Sequence, residues 1–468
     1  MLILMRLCLI NPSNPFVSSV NASSRWNRYR VWKPLGLLVL AGLTPPEWEI
    51  TIIDENLRTP DYASLPRPDL VGVTAFTSQA PRAYELAAGF RRLGVPVVMG
   101  GIHASMCVDE ALAHVDSVVT GEGEGVWPRV LDDARRGCLQ RRYDGGYADM
   151  GNAPLPRHDL LNAGYAFGSI QTTRGCPLNC SFCSVSAFNG TRYRDRPVDG
   201  VVRELAMIRE KLVLVVDDNL IGTRPDHVAR AKDLFRAIVR ARLHKSWVCQ
   251  ATINFADDDE LMALAVESGC RGVFIGFEST DAAGLRELGK RFNLLNARDF
   301  RASVRRIQRH NILVVGSFIM GLDTDEPGIG ERIADAASTY GVDSINVGFL
   351  TPLPGTRLWE QMRADNRIAS DAYPDDWKYY TLNLPVARFR HFTRDAIFQE
   401  MAACSSRFYS VPRLLSRVCV NVRQRRTPLI SLIANLSYRR NYKLDRHVYA
   451  NFVREQQTGN PPSIPSPK

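Results

Sequence analysis

Three cysteines stand close together in the stretch TTRGCPLNCSFCSVSAFNG, at Cys176, Cys180 and Cys183. Their C-x3-C-x2-C spacing puts three soft thiolates on one loop, and such ligands select zinc, copper(I) or iron–sulfur clusters. A closed structural zinc site takes four ligands, often as two C-x2-C pairs. No fourth Cys or His follows at matching spacing. A four-iron cubane on three protein thiolates leaves one iron open to a small molecule that brings its own amine and carboxylate. A zinc knuckle, or three unrelated thiols, is the alternative.

A reactive loop needs a scaffold. From Phe167 onward, strand-like runs (FGSIQTT, LVLVV, SWVCQAT, RGVFIGF, LVVGSFIM, DSINVGFL) alternate with helical runs such as VDGVVRELAMIREK and RPDHVARAKDLFRAIVRAR. Six such units predict a partial, TIM-like (β/α)6 barrel with its chemistry at the carboxyl ends of the strands. The cysteine loop leaves the first of them. Before the barrel, LILMRLCLI, EITII, LVGVTAF, VPVVMGG and VDSVVTG read as five short buried strands, and PRAYELAAGFRRLG as a helix stopped at Gly94. This alternation predicts an α/β, doubly wound, Rossmann-like parallel sheet that binds ligands beyond its strand ends. Those ends carry Asn11 to Asn14, Thr74 to Ser78, Gly100 to His103 and Gly121 to Gly125. The expected divisions are 1–145 for this domain, 146–165 for a Pro-containing linker, 166–360 for the barrel, 361–453 for a mostly helical C-terminal region and 454–468 for a disordered tail.

Composition sets bounds on this reading. At 468 residues, 45% hydrophobic and 23% charged, the chain is long enough for several ordinary globular domains. No run of about 20 apolar residues is present, so no membrane span is expected. MLILMRLCLINPSNP has a signal-like apolar start, but Arg6 interrupts it and no cleavage motif follows, so a first strand is expected. The ten cysteines are too scattered for a secreted disulfide framework and fit a reducing cytoplasm. The formal charge of +10 gathers late, in RVCVNVRQRRTPLISLIANLSYRRNYKLDRH. A solvated helical face accounts for it. So does a peripheral membrane contact, because Leu429, Ile430, Leu432, Ile433 and Leu436 interrupt the basic residues, or an anionic substrate or nucleic acid.

The C-x3-C-x2-C motif, with Phe182 before the last cysteine, resembles the signature of the radical S-adenosylmethionine (SAM) enzymes. LVVDDNLIG, FIGFEST, SFIMGLDTDE and TPLPGTRLW also resemble family segments and end successive barrel strands. The resemblance implies a 4Fe-4S cluster on Cys176, Cys180 and Cys183, with SAM near Phe182, Asp218, Asn219, Glu278, Ser279, Gly321 and Gly355. The ordinary roles for these residues are helix caps and turns. TRYRDRP is similar to the family too, though its arginines suit surface salt bridges. GGIHASMCVDEALAHVDSVVTGEGEGVWPRVL resembles the cobalamin-binding domains that precede such barrels. This implies cobalamin contacts from Asn11, Pro12, Thr74, Thr77, Ser78, Gly100, Gly101, His103, Gly121, Glu122 and Gly123. One departure stands out: the first strand's loop, NPSNPF, lacks the histidine of the D-x-H-x-x-G lower-ligand pattern. His103 is at least as well suited to a structural hydrogen bond.

In that family an electron from the cluster cleaves SAM to a 5′-deoxyadenosyl radical, and methylcobalamin can methylate the substrate radical. The implied activity is C-methyl transfer to an unactivated carbon of a secondary metabolite, lipid or pigment precursor, with a donor such as flavodoxin or ferredoxin supplying electrons. A radical cyclase or rearranging oxidoreductase is the alternative, followed by an RNA methylthiotransferase or a cofactor-sensing module. A nucleic-acid partner is not expected, because the methylthiotransferases carry a second cluster and a small C-terminal RNA-binding barrel. In DAYPDDWKYYTLNLPVARFRHFT, the aromatics Trp377, Tyr379 and Tyr380 are candidates for a substrate pocket or for core packing.

Overall fold

A computed structural model describes residues 4–17, 32–161, 164–423 and 428–458. The first sheet contains β1 (Met5–Asn11), β2 (Trp48–Asp54), β3 (Leu70–Thr74), β4 (Val97–Gly100), β5 (Ser117–Thr120) and β6 (Arg142–Asp144). All pairs are parallel, in the order β2-β1-β3-β4-β5-β6. The order reverses between β1 and β3, which opens the crevice of a doubly wound sheet there. Along β1, Cys8 and Ile10 enter the main core, while Leu7 and Leu9 join a second core with Leu37, Trp48 and Trp127. Both faces are therefore covered, which is why the strand reads as an unbroken apolar run. The edge strand β6 has the sequence RYD and offers no apolar run, so periodicity missed it.

Two short strands, β8 (Thr173–Arg174) and β9 (Arg194–Asp195), pair antiparallel around the cysteine loop. The second large sheet holds β7 (Phe167–Ile170), β10 (Leu212–Val215), β11 (Ser246–Ala251), β12 (Cys270–Glu278), β13 (Leu313–Met320) and β14 (Ser344–Phe349). They pair in parallel and in chain order, as a partial barrel does. Aspartates start several of the intervening helices: Asp258, Asp281 and Asp299 accept the backbone N–H of Leu261, Gly284 and Ala302, a local stabilisation of about 1 kcal/mol each.

The C-terminal region is helical, with Arg394–Phe408, Val411–Arg423 and Pro428–Thr458. The last helix continues through residues 454–458, which correct the expected start of a disordered tail; the rest of that tail, 459–468, lies outside the described residues. Along the same helix Asn435 donates to the Asp343 carbonyl just before β14, and Glu455 pairs with Lys378. No described helix is long and apolar enough to cross a membrane.

Candidate active site

The cysteine loop is anchored at its start by a buried carboxylate. Asp217, at the end of β10, accepts the Thr172 N–H at 2.5 Å, the Thr172 hydroxyl at 2.6 Å and the Thr173 hydroxyl at 2.9 Å. Burial pushes its carboxyl up, and the threonine bonds pull against that shift. Gly175 follows at φ +85, and a Cβ there would sit 2.1 Å from the Arg192 carbonyl, so only glycine fits before Cys176. Its N–H and the Asn189 amide both donate to Asp218, at 3.0 Å each. Burial raises the Asp218 carboxyl to about 6.

Other strand ends close over the loop. Ser181 N–H donates to the Leu288 carbonyl after β12, and Leu358 N–H donates to Ser181 after β14. Arg357 holds the side chain and carbonyl of Asn179 at 2.8 and 2.6 Å. Cys176 and Cys180 are buried, and Phe182 packs partly buried against the main core. The three thiols are close enough to feel one another's charge, and burial pushes Cys180 up to about 12. Burial thus favours the protonated thiols of Cys176 and Cys180 until a metal displaces the proton. Among the described residues, no three His, Cys, Asp or Glu side chains converge as a single ion requires. A closed mononuclear zinc site takes four ligands, whereas a cubane with one open iron takes three protein thiolates, the number this loop supplies. The three-thiol set fits a 4Fe-4S cluster.

One partner escaped the sequence reading. Lys290 is buried beside the loop, with its ammonium 3.0 Å from the Glu278 carboxylate. Burial works against the charge, but Glu278, Cys180 and Cys176 outweigh it and hold the ammonium above the ordinary lysine value. Glu278 is bent to φ +66, uncommon for a side-chain-bearing residue. Nothing periodic marks LGKRF as part of a site; only the chain reversal after β12 brings Lys290 back.

Several expected SAM contacts also have partners within the protein. Asn219 exchanges hydrogen bonds with Thr252, tying β10 to β11. Ser279 is buried against the following helix, where a Cβ on Gly284 would lie 2.2 Å from its hydroxyl. The close approach at Gly321 is to the Phe389 ring, 2.4 Å from a hypothetical Cβ, and at Gly355 to Met106 Sδ, 2.1 Å. Both glycines are required, at φ +100 and +76, but protein fills the space they clear.

Beyond the first sheet, the strand-end loops knit together. Asn11 donates to Asp54, the Pro12 carbonyl accepts from Gln79 at 2.6 Å, and Ser78 accepts from Asn14. Thr77 is buried, and Thr74 Oγ lies where a Cβ on Gly101 (φ +90) would clash. His103 is fully buried: its Nε2 meets the Tyr84 hydroxyl at 2.9 Å and Glu110 at 3.2 Å. The structure thus uses His103 as a packed hydrogen-bonding residue. Gly121 and Gly123 pack against Gly146 and Leu40. For a cobalamin, the fitting features are the side-chain-free Gly100–Gly101 turn and Phe76, 66% exposed on the adjacent β3 loop. That pair lies at the carboxyl ends of β3 and β4.

Glu122, an expected cofactor contact, has its carboxylate engaged within the protein. It is 2% exposed and its carboxylate is occupied by Arg174 at 2.9 Å, by Arg194, and by the Ala148 N–H at 2.8 Å. Burial pushes it up, but the Arg194 hydrogen bond and the Arg174 charge prevail and hold it below the usual carboxylate range. Arg174 also meets Glu124 at 2.5 Å. Two of the three arginines of TRYRDRP are thus not surface residues: Arg194 joins this clasp, and Arg196 is buried against Glu204 and the Gln171 carbonyl, while Arg192 is exposed. The clasp fastens the β5 loop to the chain on both sides of the cysteines. The Ile102–Met106 helix packs against Ser184–Asn189, so the β4 loop faces the cysteine loop.

The expected substrate aromatics do not line an opening. Trp377, Tyr379 and Tyr380 are buried; the Trp377 indole donates to Glu110 at 2.9 Å and stacks on Tyr373 at 3.8 Å. Tyr379 packs between Phe16 and Phe452. They bind the C-terminal region to the first domain.

Known proteins agree with this arrangement. A family model for the radical SAM superfamily matches residues 170–336, and one for the B12 binding domain matches 26–131. An uncharacterized methyltransferase of Pyrococcus horikoshii is 30% identical, with 82% of this chain and 89% of that protein covered. The bacteriochlorophyllide d C-12(1)-methyltransferase of Chlorobaculum tepidum is 31% identical over 70% of this chain and 74% of its own length. Among solved structures, the radical SAM methyltransferase TsrM of Kitasatospora setae shares the fold, with a TM-score of 0.65 at 20% identity and coverage of 86% and 89%. The chain belongs to the radical SAM enzymes that carry a B12-binding domain.

Proposed function

We propose that the chain is a cobalamin-dependent radical SAM C-methyltransferase acting on a small molecule, of secondary-metabolite, lipid or pigment-precursor type. The observation that carries this reading is the clasp: Glu122 and Glu124 of the first domain grip Arg174 and Arg194 around the three cysteines. The two cofactor regions are thereby held face to face, as transfer between two cofactors demands. The curated methyltransferase relatives support methyl transfer over cyclisation. The match to an anaerobic magnesium-protoporphyrin IX monomethyl ester cyclase of Rubrivivax gelatinosus is more distant, at 21% identity.

In this reading Cys176, Cys180 and Cys183 hold the cluster. When bound, the cluster and SAM supply a radical able to take hydrogen from an unactivated carbon, and the cobalamin supplies methyl. Asp217 and Asp218 keep the loop in shape through Thr172, Thr173 and Gly175. Lys290 offers a cation and Glu278 a carboxylate for the carboxylate and amine of SAM. Gly100, Gly101, Thr74 and Phe76 form the wall for the corrin and its tail, and no histidine of the β1 loop ligates cobalt. The division at 145, 165 and 360 belongs to the same proposal. So do a flavodoxin- or ferredoxin-type electron donor, a cytoplasmic setting consistent with ten unpaired cysteines, and a peripheral membrane contact.

The test is anaerobic reconstitution with iron, sulfide and hydroxocobalamin, followed by turnover with methyl-deuterated SAM and extracts of candidate substrates. Retained cluster and corrin absorption with a product heavier by one labelled methyl supports the proposal. SAM cleavage with a product of unchanged carbon count would replace it by the cyclase or rearrangement reading.

A further inference from the structure

The helix Val411–Arg423 carries an apolar stripe that the protein does not cover. Val411, Leu415, Val418 and Val422 recur at the spacing of one helical face. Val411, Leu415 and Val422 are 55%, 54% and 57% exposed. The helix is held by its other side. Leu414 and Asn421 are buried, Arg413 reaches Asp335 at 2.6 Å, and Arg417 reaches Asn435 at 2.9 Å and the Phe408 carbonyl at 3.0 Å. On the neighbouring helix Pro428–Thr458, Leu436 is 49% exposed and Arg439 is exposed one turn on. A stripe this apolar, on a helix fixed in place, calls for a partner.

Charge says which one. Between Glu400 and Asp445 the sequence has nine Arg and Lys residues and no Asp or Glu. Among the described side chains of this segment, Arg407 and Arg413 meet carboxylates, on Asp335 and Glu331 of a neighbouring helix, and Arg439 is exposed. An acid-free, basic segment around an exposed apolar helical face matches an anionic lipid surface, which accepts both parts at once.

We infer that the Val411–Arg423 helix, with the exposed Leu436 and Arg439 of the last helix, docks the protein on anionic bilayers. The stripe sinks into the acyl boundary and the cations stay at the headgroups. The docking is peripheral, since no described helix can span. The surface sits near the start of β14, where Asn435 and Asn421 meet Asp343. It is therefore at the opposite end of the barrel from the cysteine loop, and it anchors the protein without covering the site.

The experiment is co-sedimentation of the full chain with phosphatidylcholine vesicles with and without phosphatidylglycerol, at low and raised salt. Binding to the anionic vesicles only, weakened by salt, is expected. The pair Leu415→Asp and Val422→Asp should lower it about 100-fold or more, from the loss of two buried apolar side chains. Arg439→Glu should lower it at least roughly fivefold, the effect of one cation at an anionic surface. Circular dichroism and the thermal midpoint must match those of the parent chain, as they should for exposed positions. Equal binding to neutral vesicles, or anionic binding that survives the double variant, overturns the inference. So does a parent chain that ignores vesicles but dimerises in sedimentation velocity until the double variant breaks the dimer, which would assign the face to a second copy. None of these readouts depends on cofactor or turnover, so the catalytic proposal stands or falls separately.

Discussion

Replacing Glu122 by Gln tests the clasp that joins the two domains. The substitution keeps the shape, and an amide oxygen to accept the Ala148 N–H, but it removes the charge that two arginines share. The three side chains are 2%, 14% and 12% exposed for Glu122, Arg174 and Arg194, so water can do little to replace it. Removing one partner of a buried ion pair costs about 3–5 kcal/mol. Arg174 retains Glu124, which places the expectation at the lower end, about 3 kcal/mol, or over a hundredfold in the local opening equilibrium. A chain of several domains does not unfold in one step. The suitable assay is therefore hydrogen exchange by mass spectrometry on peptides covering residues 145–150 and 172–176. Exchange there should rise by about two orders of magnitude in Glu122→Gln. A double cycle with Arg194→Gln should show strong coupling. The folded Glu122 value lies below its ordinary 4.5, so its contribution is complete above that pH and is lost as pH falls through the folded value. Unchanged protection in both peptides, or an additive cycle, would refute the clasp.

Three further outcomes follow from the geometry. Single Ala substitutions at Cys176, Cys180 and Cys183 should each abolish retention of iron and sulfide after anaerobic reconstitution and desalting, while Cys249→Ala, in the buried β11, should not. Gly355→Ala places a Cβ at φ +76, 2.1 Å from Met106 Sδ, and should cost about 1–3 kcal/mol in local opening, read by hydrogen exchange on peptides covering residues 102–107 and 353–358; adding Met106→Ala should relieve the clash but not the backbone strain. Asp325, 1% exposed and accepting the Gly321 and Leu322 N–H groups, has its carboxyl raised by burial from 3.8 to about 6. The folded state then binds the proton more tightly, so stability should fall by about 3 kcal/mol or less as pH rises from 4 to 6. Asp325→Asn should flatten that slope in thermal melts across the same range.

Sequence alone was enough for the parts of this protein that follow from local pattern. Strands buried on both faces show as apolar runs, helices as amphipathic periods, and the candidate cluster loop as three thiols at one spacing. Each of those signals lies within a few residues of what it specifies. The assignments that depend on which groups end up neighbours were open to the tertiary structure only. Glu122 and Arg194 are 72 positions apart and become an ion pair because the loop after β5 meets the short β8–β9 ribbon. Lys290 joins Cys176 and Cys180 because the chain turns back after β12, and Gly355 clears room for Met106 of another domain rather than for a ligand. Trp377 was open to either a pocket or core packing, and its indole N–H donates to Glu110, 267 positions away, in the packed interior. A side chain's type limits what it can bind, but its partner is set by burial and by the charges that packing brings within hydrogen-bond distance.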